Sequence, residues 1–325
     1  MNNAPLLSAV AVVPRSLRAY RHTLRHLRAQ TIVDRIELVI ACPNQSVLAG
    51  QETLLEGFAA LQIVETGPLH TLAQGYVACI DVARAPYLAF TEDHCFMPPD
   101  WAEKLVAKLE KGYAAVGPTM SLANPASALS RAGLSIEYGP LYAHRDTGER
   151  EHLPGHNSAY RVDVLRAYGD ALEEWLHGES LLHWDLRARG ERLFQRDDLT
   201  VQHICYSAWG AVARGYWHYA RCFGAQRARS WGWGRRILQA LVWPLVPLVR
   251  LRRIHAEHQA SRRDFAFAPL IPHFLLALSC SALGEATGYL FGAGESPGKL
   301  LDYEIERERH VNAQDRAALL AEVFG

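Results

Sequence analysis

The chain has 325 residues, 49% of them apolar and 21% charged, and its formal net charge is zero. That length suits one large domain, or a domain with an appendage, and the composition excludes a disordered chain and a basic surface spread over the whole molecule. The charge is unevenly spread, however: residues 221–263 carry ten arginines against one acid, Glu257, a basic block hidden inside a neutral total. The six cysteines (Cys42, Cys79, Cys95, Cys205, Cys222 and Cys280) include no C-x-x-C pair and lie in apolar contexts. That pattern suits reduced thiols in a cytosolic protein. Met1-Asn2-Asn3 offers no charged region leading into an apolar run of signal-peptide type.

Taken in order, Leu6–Val13 is apolar and β-branched and stops at Pro14, which predicts a buried strand. Ser16 is placed to cap a helix running to about Ala29, with Leu17, Tyr20, Leu24 and Leu27 on one face. Ile36–Cys42 predicts a second strand closed by Pro43-Asn44. Helix is expected over Gln51–Leu61, a strand over Leu61–Glu65, and a helix over Thr71–Ala83. Tyr87–Thr91 predicts a fourth strand running into Glu92-Asp93-His94. Pro98-Pro99-Asp100 opens a helix over Trp101–Lys111, and Ala114–Pro118 is a further strand. Residues 119–154 read as irregular. Helices follow at Val162–Ala167 and Gly178–Arg189, then one or two short strands over Arg192–Val201 leading to His203. Strands alternating with helices imply a mainly parallel α/β sheet covered on both faces, with ligands at the carboxyl ends of its strands.

Four clusters carry candidate chemistry. Glu92 and His94 alternate with Asp93 at a strand end and so face the same way. A carboxylate and an imidazole there suit Mn²⁺ or Mg²⁺ with positions left open. The alternative is a loop of solvated acids beside a capping histidine. Gly155-His156-Asn157-Ser158-Ala159-Tyr160-Arg161 offers close backbone approach with donors and acceptors, or else a capped turn. Glu179 opens a helix and is either a cap or a general base. His203 follows a short strand and matters only if folding brings it near His94.

The order of these pieces resembles family 2 glycosyltransferases with the GT-A fold, over roughly residues 6–225. Val12-Val13-Pro14 matches the family's nucleotide-holding turn, with Arg15 just beyond it. Ala85–Phe90 and Thr91-Glu92-Asp93-His94, followed by Pro98 and Trp101, match the strand and D-x-D metal motif. Gly155–Arg161 matches the acceptor-side glycine-Asn motif, Glu179 through Gly190 the base and its Arg-rich helix, and Leu199–His203 the strand that ends in histidine. The resemblance implies a nucleoside-diphosphate sugar as co-substrate and a divalent metal at Glu92, His94 and His203. It implies Glu179 as catalytic base, with Pro14, Arg15, Cys42, Asp93, His156 and Asn157 on the nucleotide and sugar side. The chain departs from the pattern in four places, one being the usual Arg-Asn in the helix before the fourth strand, replaced around Tyr76-Val77. D-x-D becomes Glu92-Asp93-His94. The Asp pair after the second strand becomes Ala41-Cys42-Pro43-Asn44. The catalytic E-D pair becomes Glu179-Ser180. A catalytically degenerate homologue acting as a binding or scaffold protein is therefore the competing expectation.

Beyond about residue 220 the character changes, and a catalytic domain is expected over 1–225 with a helical region over 226–325. Trp231–Ile254 is aromatic and apolar with flanking arginines, Phe265–Phe291 is strongly apolar, and Phe265–Leu283 is nearly uncharged. Together, residues 231–291 suit contact with a membrane surface as an interfacial or re-entrant segment. The alternative is a helical cap or a self-association face. The arginines interleave with a long apolar run, which argues against nucleic acid. Lys299–Val323 predicts one or two charged amphipathic helices. The expected setting is cytoplasmic, peripheral to the inner face of the plasma membrane, with a glycan or lipid-linked acceptor.

Overall fold

The structure, a computed structural model, describes residues 4–141, 147–260 and 265–322; Met1–Asn3 and the last residue expected in helix, Val323, lie outside them. The chain forms two compact units. The first comprises residues 1–120 with 145–202, and the second residues 121–144 with 203–325. This division differs from the expected break at 225, because a helix over Trp209–Arg227 runs through that point.

The strands are β1 (Leu7–Val12), β2 (Ile36–Cys42), β3 (Ala60–Glu65), β4 (Tyr87–Phe90), β5 (Cys95–Phe96), β6 (Ala115–Leu122), β7 (Gly148–Glu149), β8 (Ala159–Arg161) and β9 (Leu193–His203). They form one sheet in the order β3-β2-β1-β4-β8-β6-β9-β5, with β7 pairing β9. β3, β2, β1 and β4 are mutually parallel. β8 runs antiparallel to β4 and to β6. Every residue of β1 and β2 is buried, as a parallel sheet covered on both faces requires. Two polar residues tolerate that burial by pairing. Ser8 Oγ donates to Glu37 Oε2 at 2.6 Å across the register, while Gln62 Nε2 and the Arg84 backbone N–H also donate to the Glu37 carboxylate.

The register Val12↔Ala41 and Val10↔Phe90 aligns the carboxyl ends of β1, β2 and β4. Pro14, Cys42 and Thr91-Glu92 therefore emerge side by side on one edge. The helix after β3, Leu72–Val82, is capped by Thr71, whose side chain accepts from the Gln74 N–H. It sits so close to β1 that a Cβ on Gly75 would meet Val12 Cγ1 at 2.6 Å.

Several elements differ from expectation. Gln51–Leu61 is not an α-helix; it holds a short 3₁₀ turn, Glu52–Leu55, ahead of β3. Gly50 and Gly57, at φ +76° and +91°, turn the backbone out of any helical path there. Residues 119–154 contain an ordered helix, Ala128–Tyr138, capped by Ser127. Buried Asp315 accepts from the Ser127 N–H and hydroxyl, a support that comes from far along the chain. β9 is a single eleven-residue strand.

The core of the second unit is a helix pair. Ile271–Phe291 lies against Trp209–Arg227 at backbone distance: a Cβ on Gly284 would meet Trp217 O at 2.2 Å, and one on Gly288 would meet Arg221 O at 2.3 Å. From the facing helix, Gly224 meets Glu285 O in the same way, at 2.4 Å. The three glycines allow the helices to touch. The segment Ala268–Phe291 is long and apolar enough to cross a membrane by length and composition, with a mean hydropathy of 1.4, and half of it is buried within the protein. Helices also occupy Trp233–Leu241, Val246–Ala260, Ser296–Glu304 and Ala313–Glu322. Buried Arg307 pairs with Glu137 at 3.2 Å and with Glu304. All six cysteines are free thiols.

Candidate active site

The segment after β4 is buried, with Thr91, Glu92, Asp93 and His94 at most 6% exposed. That rules out a loop of solvated acids. The loop is held from below: the Thr91 hydroxyl donates to Val10 O at 2.7 Å, and Thr23 Oγ1 lies 2.8 Å from Glu92 O and 3.0 Å from Cys95 O. The Tyr20 hydroxyl reaches Thr91 O; burial and then the Asp93 charge push its pKa well above the ordinary phenol value, so it stays a neutral donor.

The two acids of the loop have separate tasks. Asp93 Oδ1 lies 2.6 Å from His94 Nδ1. A carboxylate there selects the tautomer with the proton on Nδ1 and presents Nε2 as a lone pair. That Nε2 stands 3.5 Å from Glu92 Oε1. Glu92 also receives the Cys95 thiol at 3.1 Å and Asn157 Nδ2 at 3.2 Å, both on Oε2.

The second cluster comes to the same place. Asn157 adopts φ +62°, a conformation asparagine accepts more readily than most residues. Its N–H donates to Phe90 O at 2.7 Å, and its carbonyl accepts from Trp101 Nε1 at 3.0 Å. The loop is thereby tied to the end of β4 and to the following helix. The neighbouring His156 spans two carboxylates: Nδ1 is 3.0 Å from Glu92 Oε1, and Nε2 is 3.5 Å from Glu179 Oε1. Its ring also packs against Tyr76, with centroids 5.5 Å apart.

Glu179 is the first residue of the helix Glu179–Ala188. Its side chain lies across Gly155, where an added Cβ would meet its Cγ at 2.4 Å, its Cδ at 2.6 Å and its Cβ at 2.7 Å. Only glycine leaves this room. Gly155→Ala is expected to displace Glu179 from His156 and to lower kcat about tenfold to a hundredfold with the fold retained, since misplacing a reacting group by about 1 Å costs on that order. Wild-type turnover in a folded Gly155→Ala protein would refute the assigned packing.

Two residues that sequence reasoning did not single out position this helix. His183, one turn after Glu179, accepts the Leu153 N–H on Nδ1 at 3.3 Å and meets the Tyr160 hydroxyl through Nε2 at 2.8 Å. The Nδ1 contact leaves the proton on Nε2, so the tyrosine hydroxyl is free to donate to Gly155 O at 3.2 Å. Burial lowers the His183 pKa to about 3, keeping the ring neutral. Burial, and then the Glu179 charge, push the Tyr160 hydroxyl well above its usual range. The only local hint in the sequence was the i,i+4 spacing of Glu179 and His183 on one helix.

The remaining expected residues divide. Pro14 is half-buried and Arg15 exposed at the end of β1. Cys42 is fully buried at the end of β2, its thiol pKa raised by burial and by Glu65. His203, the last residue of β9, belongs to the second unit. There Nδ1 is 3.4 Å from Cys205 Sγ, and Nε2 is 3.0 Å from Arg307 Nη1.

The ligand atoms of Glu92, His94 and Cys95 lie within 4.8 Å of one another, close enough to hold a metal ion. Two groups that act as acceptors, Glu92 Oε1 and His94 Nε2, face each other. The Asn157 side-chain oxygen is buried with no hydrogen-bond partner among the described residues, and carboxylate, imidazole and amide oxygen together suit Mn²⁺ or Mg²⁺.

A mainly parallel sheet with this acidic site at its carboxyl edge, and a match of residues 21–169 to the model for glycosyl transferase family 2, define a glycosyltransferase. Residues 21–169 are similar to that family, and the mixed α/β part of the chain is accompanied by a further helical region. Among solved structures it is similar to S. aureus TarS 1–349, at 11% identity over 87% of this chain and 90% of that one, with a TM-score of 0.48. It is likewise similar to S. aureus TarS 1–349 in complex with UDP, at the same identity and coverage, with a TM-score of 0.46. No curated protein matches the sequence.

Proposed function

We propose that the protein moves a sugar from a nucleoside-diphosphate donor to an acceptor hydroxyl with inversion at the anomeric carbon. The observation that carries this reading is the chain Glu92–His156–Glu179, which sets two carboxylates on either side of one imidazole at the carboxyl edge of the sheet. Glu92 and His94 form the pole that faces the diphosphate, oriented by Asp93 and Asn157. A divalent cation held there would offset the charge of the departing diphosphate. Glu179 forms the acceptor pole. As the acceptor oxygen bonds to the anomeric carbon, the bond to the diphosphate breaks with its electron pair, and the acceptor proton passes to the Glu179 carboxylate. His156 holds Glu179 in register with Glu92. Pro14, Arg15 and Cys42 line the nucleotide end, where the absent acid beside Cys42 leaves base recognition to the backbone and neighbouring groups. The acceptor is a glycan or lipid-linked hydroxyl met at a membrane surface, a reading supported by the apolar, arginine-rich stretch 231–291.

The test is a screen of UDP- and GDP-sugars with Mn²⁺ or Mg²⁺ and membrane-extracted acceptors, read as release of nucleoside diphosphate. One donor class is expected to react, and chelation by EDTA to lower its rate at least tenfold, the order of effect seen when charge stabilisation of a leaving group is removed. Binding of UDP or GDP with no release from any donor would instead assign a degenerate, non-catalytic domain.

A further inference from the structure

An amphipathic helix buries its apolar stripe unless that stripe has an outside partner. In the second unit, one such stripe faces outward. Trp233, Ile237, Leu238, Leu241, Val242, Leu245, Leu248 and Val249 recur at helical spacing across the helices Trp233–Leu241 and Val246–Ala260 and the Pro244 turn between them. They are 36–71% exposed, with Trp233 at 65%, Leu241 at 71% and Val249 at 68%. The opposite side supplies what these helices bury, namely Ala240, Pro247 and Ile254, and Ile254 joins Leu270, Phe274 and Leu278 in a core cluster.

Arginines border the stripe at both ends. Arg235 lies over the Trp231 ring at 4.1 Å, and Arg236 over the Trp233 ring at 5.5 Å. Arg252 and the half-paired Arg253, 2.8 Å from Glu257, are exposed at the far end. Across residues 221–263 Glu257 is the only acid among ten arginines. A second copy of the chain docking on this face would bring arginines against arginines with almost no carboxylate to pair them. An anionic lipid surface accepts both the apolar ridge and its cationic borders.

We infer that the face built from Trp233 to Val249 with Arg235, Arg236, Arg252 and Arg253 is a docking surface that lies in the headgroup layer of an anionic bilayer. It rests on the membrane partner proposed above and not on the transfer chemistry, so it stands or falls separately from the donor screen.

The experiment is co-sedimentation of the full chain with vesicles of phosphatidylcholine alone and of phosphatidylcholine with phosphatidylglycerol, at low and high salt. Partitioning onto the anionic vesicles is expected to exceed that onto neutral ones at least tenfold and to fall as salt rises. The double variant Leu241→Glu with Leu245→Glu, at two exposed positions, is expected to lose at least tenfold in partitioning while its melting temperature and nucleoside-diphosphate release in detergent stay unchanged. Leu248→Ser with Val249→Ser provides an independent, milder break of the same stripe. Absence of binding to anionic vesicles, equal binding to neutral ones, or unchanged binding by both variants would overturn the assignment. So would a wild-type dimer in sedimentation velocity that the glutamates dissolve, since that would make the stripe a self-association face.

Discussion

Replacing Glu179 by glutamine is expected to lower kcat by about 10²–10⁴, the span that loss of a positioned general base commands. The substitution is close to isosteric. It keeps the side chain packed on Gly155 and within reach of His156 Nε2, now 3.5 Å from the carboxylate. What it removes is the basic oxygen to which the proposed mechanism assigns the acceptor proton. Donor affinity should therefore change little, because Glu92, His94 and Asn157 are untouched. Steady-state release of nucleoside diphosphate, paired with calorimetric titration of the nucleotide, separates the two quantities. A Glu179→Gln protein that turns over within about threefold of wild type would remove Glu179 from the chemistry. Gly155→Ala complements this test, because it keeps the carboxylate and changes only its position.

The largest structural effect is expected at the helix pair of the second unit. At Gly284 a Cβ would sit 2.2 Å from Trp217 O and 3.0 Å from the Trp217 Cα. The obstacle is backbone, so no rotamer change relieves it, and the two helices must separate. Gly284→Val adds two methyl groups to that conflict and should destabilise the protein by about 3 kcal/mol or more, at the upper end of what overpacking costs. That is a large share of the ~5–15 kcal/mol available to a folded domain. A fall in the urea midpoint, with helical circular dichroism lost ahead of the rest, is the expected signature. A Gly284→Val protein with an unchanged midpoint would mean that the helices do not meet at this point.

The parts of the fold that were legible share a physical cause. β1, β2 and β4 are short apolar runs bounded by proline or polar residues, and a strand buried on both faces needs nothing else to declare itself. The helix Leu72–Val82 was legible through its Thr71 cap. The unread helices fail for the opposite reason. Ala128–Tyr138 contains Gly133 and Trp209–Arg227 contains Gly210, Gly215 and Gly224, residues that locally argue against helix. Their justification is tertiary: Gly133 faces Cys205 and Tyr216, Gly215 faces the Tyr206 ring, and Gly224 faces the Glu285 backbone. Over Gln51–Leu61 the expected helix does not form, because Gly50 and Gly57 set turns there instead.

At the site, residue types and their order were enough to name Glu92, Asp93, His94, His156, Asn157 and Glu179, because chemistry-bearing side chains at strand ends and helix starts are local features. Which of them act together was not local. Which nitrogen of His94 each acid faces is tertiary: Nδ1 lies on Asp93 and Nε2 toward Glu92. His156 had no assigned neighbour until the fold placed it between residues 64 positions before it and 23 after it. The pairing of Tyr160 with His183 was not legible, since it is a hydrogen-bond relay closed only by packing. The sequence by itself determined the parallel half of the sheet, the acidic edge and the basic apolar block near residue 240, because hydrophobic period, strand-end polarity and charge are written locally. The tertiary structure alone decided the partners: which carboxylate faces which imidazole, which glycines let helices touch, and that the apolar stripe from Trp233 to Val249 turns outward. Those choices depend on distances between residues far apart in the chain, and a linear pattern holds no such distances.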